Sequence, residues 1–219
     1  MFKLLNGLYY SEHFLKLDHD EILQEVLMAK VKDDVMEKDE DGVYLDGGWD
    51  NYNLYPKNHT YSEDMNLYPK TIKKVGAAIK NELTKIFGQH SYFKLDEREC
   101  WGHICEPGEQ TMLHNHTHGP FEHPGLSFVY YPNFHQNAGP LIFSTQVNQS
   151  QYQAVVEPKR GMALIFSSEI LHHTPPNSRR FTRESISGNF ECTKNFKNIL
   201  EEDEDLVNPF WKYTGKIDN

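Results

Sequence analysis

Gly161-Met-Ala-Leu-Ile-Phe-Ser-Ser-Glu-Ile-Leu-His-His-Thr-Pro-Pro-Asn-Ser-Arg-Arg-Phe-Thr-Arg-Glu-Ser-Ile-Ser-Gly-Asn-Phe190 contains two short apolar or alternating runs, Met162–Ser167 and Glu184–Phe190, on either side of Pro175-Pro176-Asn177. Runs of this length bounded by turn residues read as strands. The same pattern recurs upstream, at Tyr92–Leu95, Glu99–Cys105, Leu126–Tyr131, Pro140–Ser144 and Tyr152–Val156. Pro107-Gly108, Asn137-Ala138-Gly139 and Pro158 to Gly161 separate them. Many short strands joined by Gly/Pro turns imply a β-sandwich or barrel, with residues 91–190 as its core.

The residues before this core, 1–90, read as mixed α and β. Met1 to Tyr10 looks like a strand start. Asp18 or Asp20 can cap a helix that carries Ile22, Leu23, Val26 and Leu27 on one face. Lys38 to Tyr61, rich in Asp, Gly, Asn and Tyr, reads as an irregular loop, placed to shape an entrance. From about Pro69 to Phe87, Ile72, Val75, Ile79, Leu83 and Ile86 recur at helical spacing, with Gly88 where a C-terminal cap belongs. This helix is expected to cover one face of a sheet. Residues 191–219 form a C-terminal extension, and the whole chain, 1–219, reads as one domain.

With 38% hydrophobic and 13% aromatic residues, a packed core is possible. The net charge of −10 argues against a non-specific nucleic-acid surface, which needs Lys and Arg to neutralise phosphates. The acidic excess gathers at Asp33–Asp41 and Glu201–Asp205, the pattern of solvated faces or loops. Cys100, Cys105 and Cys192 form no C-x-x-C pair and no secretory signal opens the chain, so a reducing cytoplasm with free thiols is expected. No apolar run approaches the ~18 residues that span a bilayer.

Of twelve histidines, seven fall between His114 and His173. On a strand, residues i and i+2 point the same way, so His114 and His116 can grip one ion from one strand end. A distant histidine from another strand, His172 or His173, would complete a facial set with open positions for other ligands. Adjacent strand residues face opposite sides, so only one of that pair can reach the metal.

His172 to Phe190 resembles the 2-oxoglutarate/Fe(II)-dependent oxygenases, prolyl hydroxylases included. In that superfamily a distal His ligand is followed about ten residues on by R-x-S, and Arg183-Glu184-Ser185 matches. Gly161 to Ser167 resembles the strand leading to that ligand, Ser127 to Tyr131 the strand after the first ligand pair, and Asn137 to Phe143 the G-x-L-x-F strand between. The resemblance spans roughly Trp101 to Phe190 and looks closest to poorly characterised oxygenases of phages and marine bacteria. It implies a double-stranded β-helix (jelly roll), mainly β with flanking helices, and Fe(II) with 2-oxoglutarate as co-substrate. The activity implied is a dioxygenase that hydroxylates a small-molecule or peptidyl substrate with release of succinate and CO2, in the cytoplasm of a bacterial or phage-infected cell. Arg183 would pair with the far carboxylate of 2-oxoglutarate, Ser185 would support it, and Tyr131, chosen over Tyr130, would bond the co-substrate. A guanidinium fork binds a carboxylate through two parallel hydrogen bonds.

One position departs from the family pattern. Its first motif is H-x-D, and residue 116 is His. Either His116 is a ligand in an all-histidine triad, or a carboxylate such as Glu122 enters, or the site does not hold iron. The set preferred is His114, His116 and His172. Pro176 and Arg183 then fall near their family places. His118 and His123 are read as loop or supporting residues, and Arg179 and Arg180 as solvent-exposed. The competing reading is a cupin-like metal-binding or structural β-domain without oxygenase activity, which would leave R-x-S unexplained.

Overall fold

The structure, a computed structural model, describes residues 2–5, 8–36, 51–53, 68–87, 93–105, 107–116, 125–133, 139–147, 150–177 and 180–192. Strands β1 (Phe2–Leu5) and β2 (Leu8–Phe14) lead into helix α1 (His19–Met36). A short β3 (Asn51–Asn53) and helix α2 (Tyr68–Phe87) follow. Then come β4 (Phe93–Cys105), β5 (Thr111–His114), β6 (Leu126–Tyr130), β7 (Leu141–Val147), β8 (Ser150–Val156), β9 (Met162–Ser167), β10 (Leu171–Thr174) and β11 (Arg183–Cys192).

The strands form a seven-stranded sheet, β1-β2-β9-β6-β11-β4-β3, and a four-stranded sheet, β5-β10-β7-β8. Alternation along β9 shows how they stack. Met162, Leu164 and Phe166 join a core that includes Leu141 and Phe143 of the smaller sheet. Ala163 and Ile165 instead pack with Ile22 and Val26 of α1 and Ile72, Val75 and Ile79 of α2. The larger sheet is thus covered on both faces, which is why every residue of β6 and β9 is buried and β9 reads as an apolar run from Met162 to Phe166. This is the jelly-roll arrangement expected from the sequence.

Both helices form where their patterns place them. Asp18 Oδ1 accepts from the Glu21 backbone N–H at 3.0 Å, so Asp18 is the cap and α1 starts beside it. Lys70 and Lys74 of α2 both reach Glu21 of α1. On α2, Gly76 lets the helix approach the sheet: a Cβ there would meet Leu95 Cδ2 at 2.4 Å. The expected cap Gly88 lies outside the described residues.

Two expectations need correction. The runs expected at Tyr92–Leu95 and Glu99–Cys105 are not separate strands: from Phe93 onward both belong to β4. Between Leu95 and Cys100 the chain carries extra residues opposite Asn189, because Gly188 pairs with Cys100 and Phe190 with Leu95. The intervening Asp-Glu-Arg-Glu is a bulge in one strand rather than a turn between two. Second, Lys38–Tyr61 is not wholly irregular: Asn51–Asn53 pairs with Trp101–His103 at the edge of the larger sheet. The rest of that stretch, and residues 193–219, lie outside the described residues.

Candidate metal centre and its cavity

His114 ends β5 and stands directly opposite His172 on β10. His116, two residues on, is held by its backbone N–H, which donates to the Ser168 carbonyl at 2.9 Å. The ligating nitrogens of His114, His116 and His172 lie within 4.8 Å of one another. The adjacent His173 instead pairs in register with Ile142 on the smaller sheet and lies outside the cluster. Glu122, His118, His123 and Arg179 lie outside the described residues, and Arg180 is exposed.

Two rings have their tautomers set by neighbours. A carbonyl oxygen only accepts, so His172 Nδ1 carries a proton and donates to Ile170 O at 3.0 Å. His114 Nδ1 likewise donates to Met112 O at 2.8 Å. The Nε2 lone pairs of both rings are therefore left to bind. His172 Nε2 faces His116 Nε2 at 3.3 Å. Two imidazole nitrogens at that distance share either one proton or one cation.

Burial keeps His116 and His172 neutral. His172 lies against Phe166, with ring centroids 4.9 Å apart, and is 5% exposed. Burial, then the neighbouring His114 and His116, push its pKa down to about 3. Burial, then His114, push His116 down to about 4. Both offer unprotonated nitrogen at neutral pH, the form that coordinates a metal. Three imidazole nitrogen donors beside a cavity fit a borderline divalent cation such as Fe(II) or Zn(II).

The cavity beside the cluster holds about 320 Å³. Trp101 and His103 of β4 and Arg183, Ser185 and Ser187 of β11 line its larger-sheet side. These side chains share one face through the register pairs Ser185–His103 and Ser187–Trp101. Arg183 is 2% exposed, and its Nη2 donates to Thr174 Oγ1 at 2.7 Å. Thr174 Oγ1 also accepts from the Thr111 backbone N–H at 3.0 Å. A hydroxyl has two lone pairs and one hydrogen, so Thr174 keeps its O–H to donate to a ligand. Sequence reasoning missed this residue. Its signal was the i, i+2 spacing from His172 on the same strand.

Tyr131 is fully buried beside Arg183 but does not line the cavity. Burial pushes its phenol up to about 12, with the Arg183 charge pulling the other way. Tyr130 faces the opposite side of the sheet and hydrogen-bonds His19 at the start of α1. Asn177, 1% exposed, fixes the approach to Arg183: its Nδ2 donates to Cys105 O and Phe181 O, and its backbone exchanges bonds with Gly108 and Glu109.

No protein-family model and no curated protein matches the chain. Solved structures do. A prolyl hydroxylase from Trichoplax adhaerens, in complex with a hypoxia-inducible-factor oxygen-degradation-domain peptide, is 15% identical, with a TM-score of 0.55 over 84% of this chain and 83% of that one. The chain has the fold of the 2-oxoglutarate/Fe(II) oxygenases. SnoK, a non-heme α-ketoglutarate-dependent carbocyclase from nogalamycin biosynthesis, is 11% identical, with a TM-score of 0.57 over 89% of this chain and 86% of that one. SnoN, an epimerase dependent on the same co-substrate and from the same biosynthesis, gives 14% and 0.56 over 84% and 76%. At these identities the likeness is one of fold. The oxygenase fold therefore supports several outcomes at a similar core, and the site must carry the functional argument.

Proposed function

We propose that the chain is a 2-oxoglutarate- and Fe(II)-dependent dioxygenase that hydroxylates a small-molecule or peptidyl substrate, releasing succinate and CO2. One observation carries this reading: three converging imidazoles and a buried arginine line the same cavity from two different sheets. A metal-braced structural domain has no use for the arginine. His114, His116 and His172 would hold Fe(II), which supplies the oxygen activation that no side chain can. Arg183 presents its fork to the far carboxylate of the co-substrate, and Ser185 and Thr174 add hydroxyl donors beside it. Tyr131 backs the arginine from within the core. With His in place of a carboxylate at position 116, the ligand set is neutral and leaves more positive charge on the metal. The buried thiols of Cys100 and Cys105, which form no disulfide, go with a reducing cytoplasm. Among the described residues no helix is long and apolar enough to cross a membrane.

The test is titration of 2-oxoglutarate into the iron-loaded protein without oxygen, followed by succinate detection once oxygen is admitted. A saturable visible charge-transfer band and stoichiometric succinate are expected. Iron bound at the histidines with neither band nor succinate would leave a metal-binding module of the cupin-like kind. His116→Asp is expected to retain iron and coupled turnover, because it puts the usual carboxylate at the same position.

A further inference from the structure

We infer that Asn189, Ser127 and Ser168 form a positioning network that sets the geometry of the histidine cluster from just beyond the end of the cavity, on the face of the larger sheet that lines it. The inference rests on the reading of that cluster as the metal centre. Two of the three histidines hang on the turn Ser168–Ile170, which joins β9 to β10. The Ser168 carbonyl accepts the backbone N–H of His116 at 2.9 Å. The Ile170 carbonyl accepts Nδ1–H of His172 at 3.0 Å. A shift of this turn would move the main chain of one ligand and release the ring of the other.

The turn is in turn tied to the larger sheet. Ser168 Oγ lies 2.9 Å from Ser127 Oγ on β6. Ser127 Oγ donates to Asn189 Oδ1 on β11 at 2.8 Å. Ser127 has one hydrogen and gives it to Asn189, so Ser168 must be the donor to Ser127. The chain of bonds therefore runs one way, from turn to central strand. Ser127, Ser168 and Asn189 are 1%, 4% and 5% exposed, and none lines the cavity. A buried polar chain is costly unless satisfied, and it fixes one arrangement when it is. Asn189 shares a strand face with Arg183 and Ser185, by the two-residue period of β11. One strand thus anchors both the arginine end of the cavity and the turn that holds the histidines.

The experiment uses Ser127→Ala, Ser168→Ala and the double variant, with Co(II) as the probe. Each single variant is expected to bind Co(II) about 10- to 100-fold more weakly, the usual effect of losing an outer partner of a metal ligand. The Co(II) d–d bands should shift as well. The double variant should be no weaker than either single, because one missing hydroxyl already breaks the chain. Ser11→Ala is the control: Ser11 is 1% exposed, on β2, and bonded to the Ile165 carbonyl and His13 Nε2, outside the chain of bonds from the turn to Asn189. It should lower the thermal midpoint without touching Co(II) affinity or spectrum. In metal-free protein, 15N NMR of labelled histidine should show His172 as the Nδ1–H tautomer in the parent and as a mixture in Ser127→Ala. Co(II) affinity within twofold of the parent, with unchanged bands and tautomer, would overturn the inference. If the parent takes up no Co(II), the metal-centre reading fails, and the tautomer alone decides the network.

Discussion

The two sheets meet at one cavity, yet they differ in how much water they see. The seven-stranded sheet is covered by the smaller sheet on one face and by both helices on the other, so Ile165 is 0% exposed at its centre. The outer face of the four-stranded sheet carries Val155 at 59% and Leu113 at 51% exposure. The covered sheet contributes the buried Arg183 to the cavity, and the half-exposed sheet contributes His114 and His172. The difference is physically sensible. A guanidinium–carboxylate pair gains strength where water is excluded. A metal ion must instead be reached from solvent, and His114 and His116 are only half-buried while His172 is buried.

The sharpest way to break this division of labour is to remove a ligand. His172→Ala should abolish high-affinity Fe(II) binding while the apoprotein stays folded, measured by metal titration alongside circular dichroism. Retention of parent affinity would put the centre elsewhere. Next in size is Arg183→Met, which removes one partner of a desolvated charge pair, an interaction that typically costs ~2–5 kcal/mol to break. 2-Oxoglutarate binding should weaken by about thirty-fold to more than a thousand-fold, with metal affinity little changed. An equal loss of both would show that the two sheets do not act separately. For stability, Ile165→Ala should cost ~2–5 kcal/mol by denaturant unfolding and Val155→Ala less than ~0.5 kcal/mol. Similar costs would mean that the smaller sheet's outer face is covered in solution. Smaller than the loss from Arg183→Met is the effect of Thr174→Val, which removes one hydroxyl donor beside Arg183. It should weaken 2-oxoglutarate by about fivefold to tenfold and leave iron binding intact.

The sequence was most legible where a physical signal was strong and local. The helical spacing of Ile72, Val75, Ile79 and Leu83 located α2, and short, mostly apolar runs located β6 and β9, strands that are buried on both faces. The i, i+2 spacing singled out His114 and His116, which the structure brings to His172, although His116 lies past the end of β5 and is held there by the Ser168 carbonyl and not by the strand. Legibility failed where tertiary contacts outweigh local pattern. The polar bulge in β4 imitates a turn, and three residues of β3 carry no periodicity to detect. Thr174 and Ser127 are ordinary hydroxyls in the sequence. Their importance arises from partners 63 and 62 positions away, Thr111 and Asn189, which a single sequence does not reveal.

The tautomer bonds of His114 and His172 each reach a carbonyl two residues upstream, Met112 and Ile170, but the rings they prepare are brought together from distant parts of the chain. His116 and His172 are 56 positions apart. An ion held between them would therefore act as a cross-link, closing a long loop in the unfolded ensemble much as a disulfide does. By the loop-entropy relation for such links, a closure of this size removes about 4 kcal/mol of chain freedom from the unfolded state. The same ion that prepares the protein for chemistry would also clasp β5 to β10, so thermal resistance and catalytic readiness would rise together on loading.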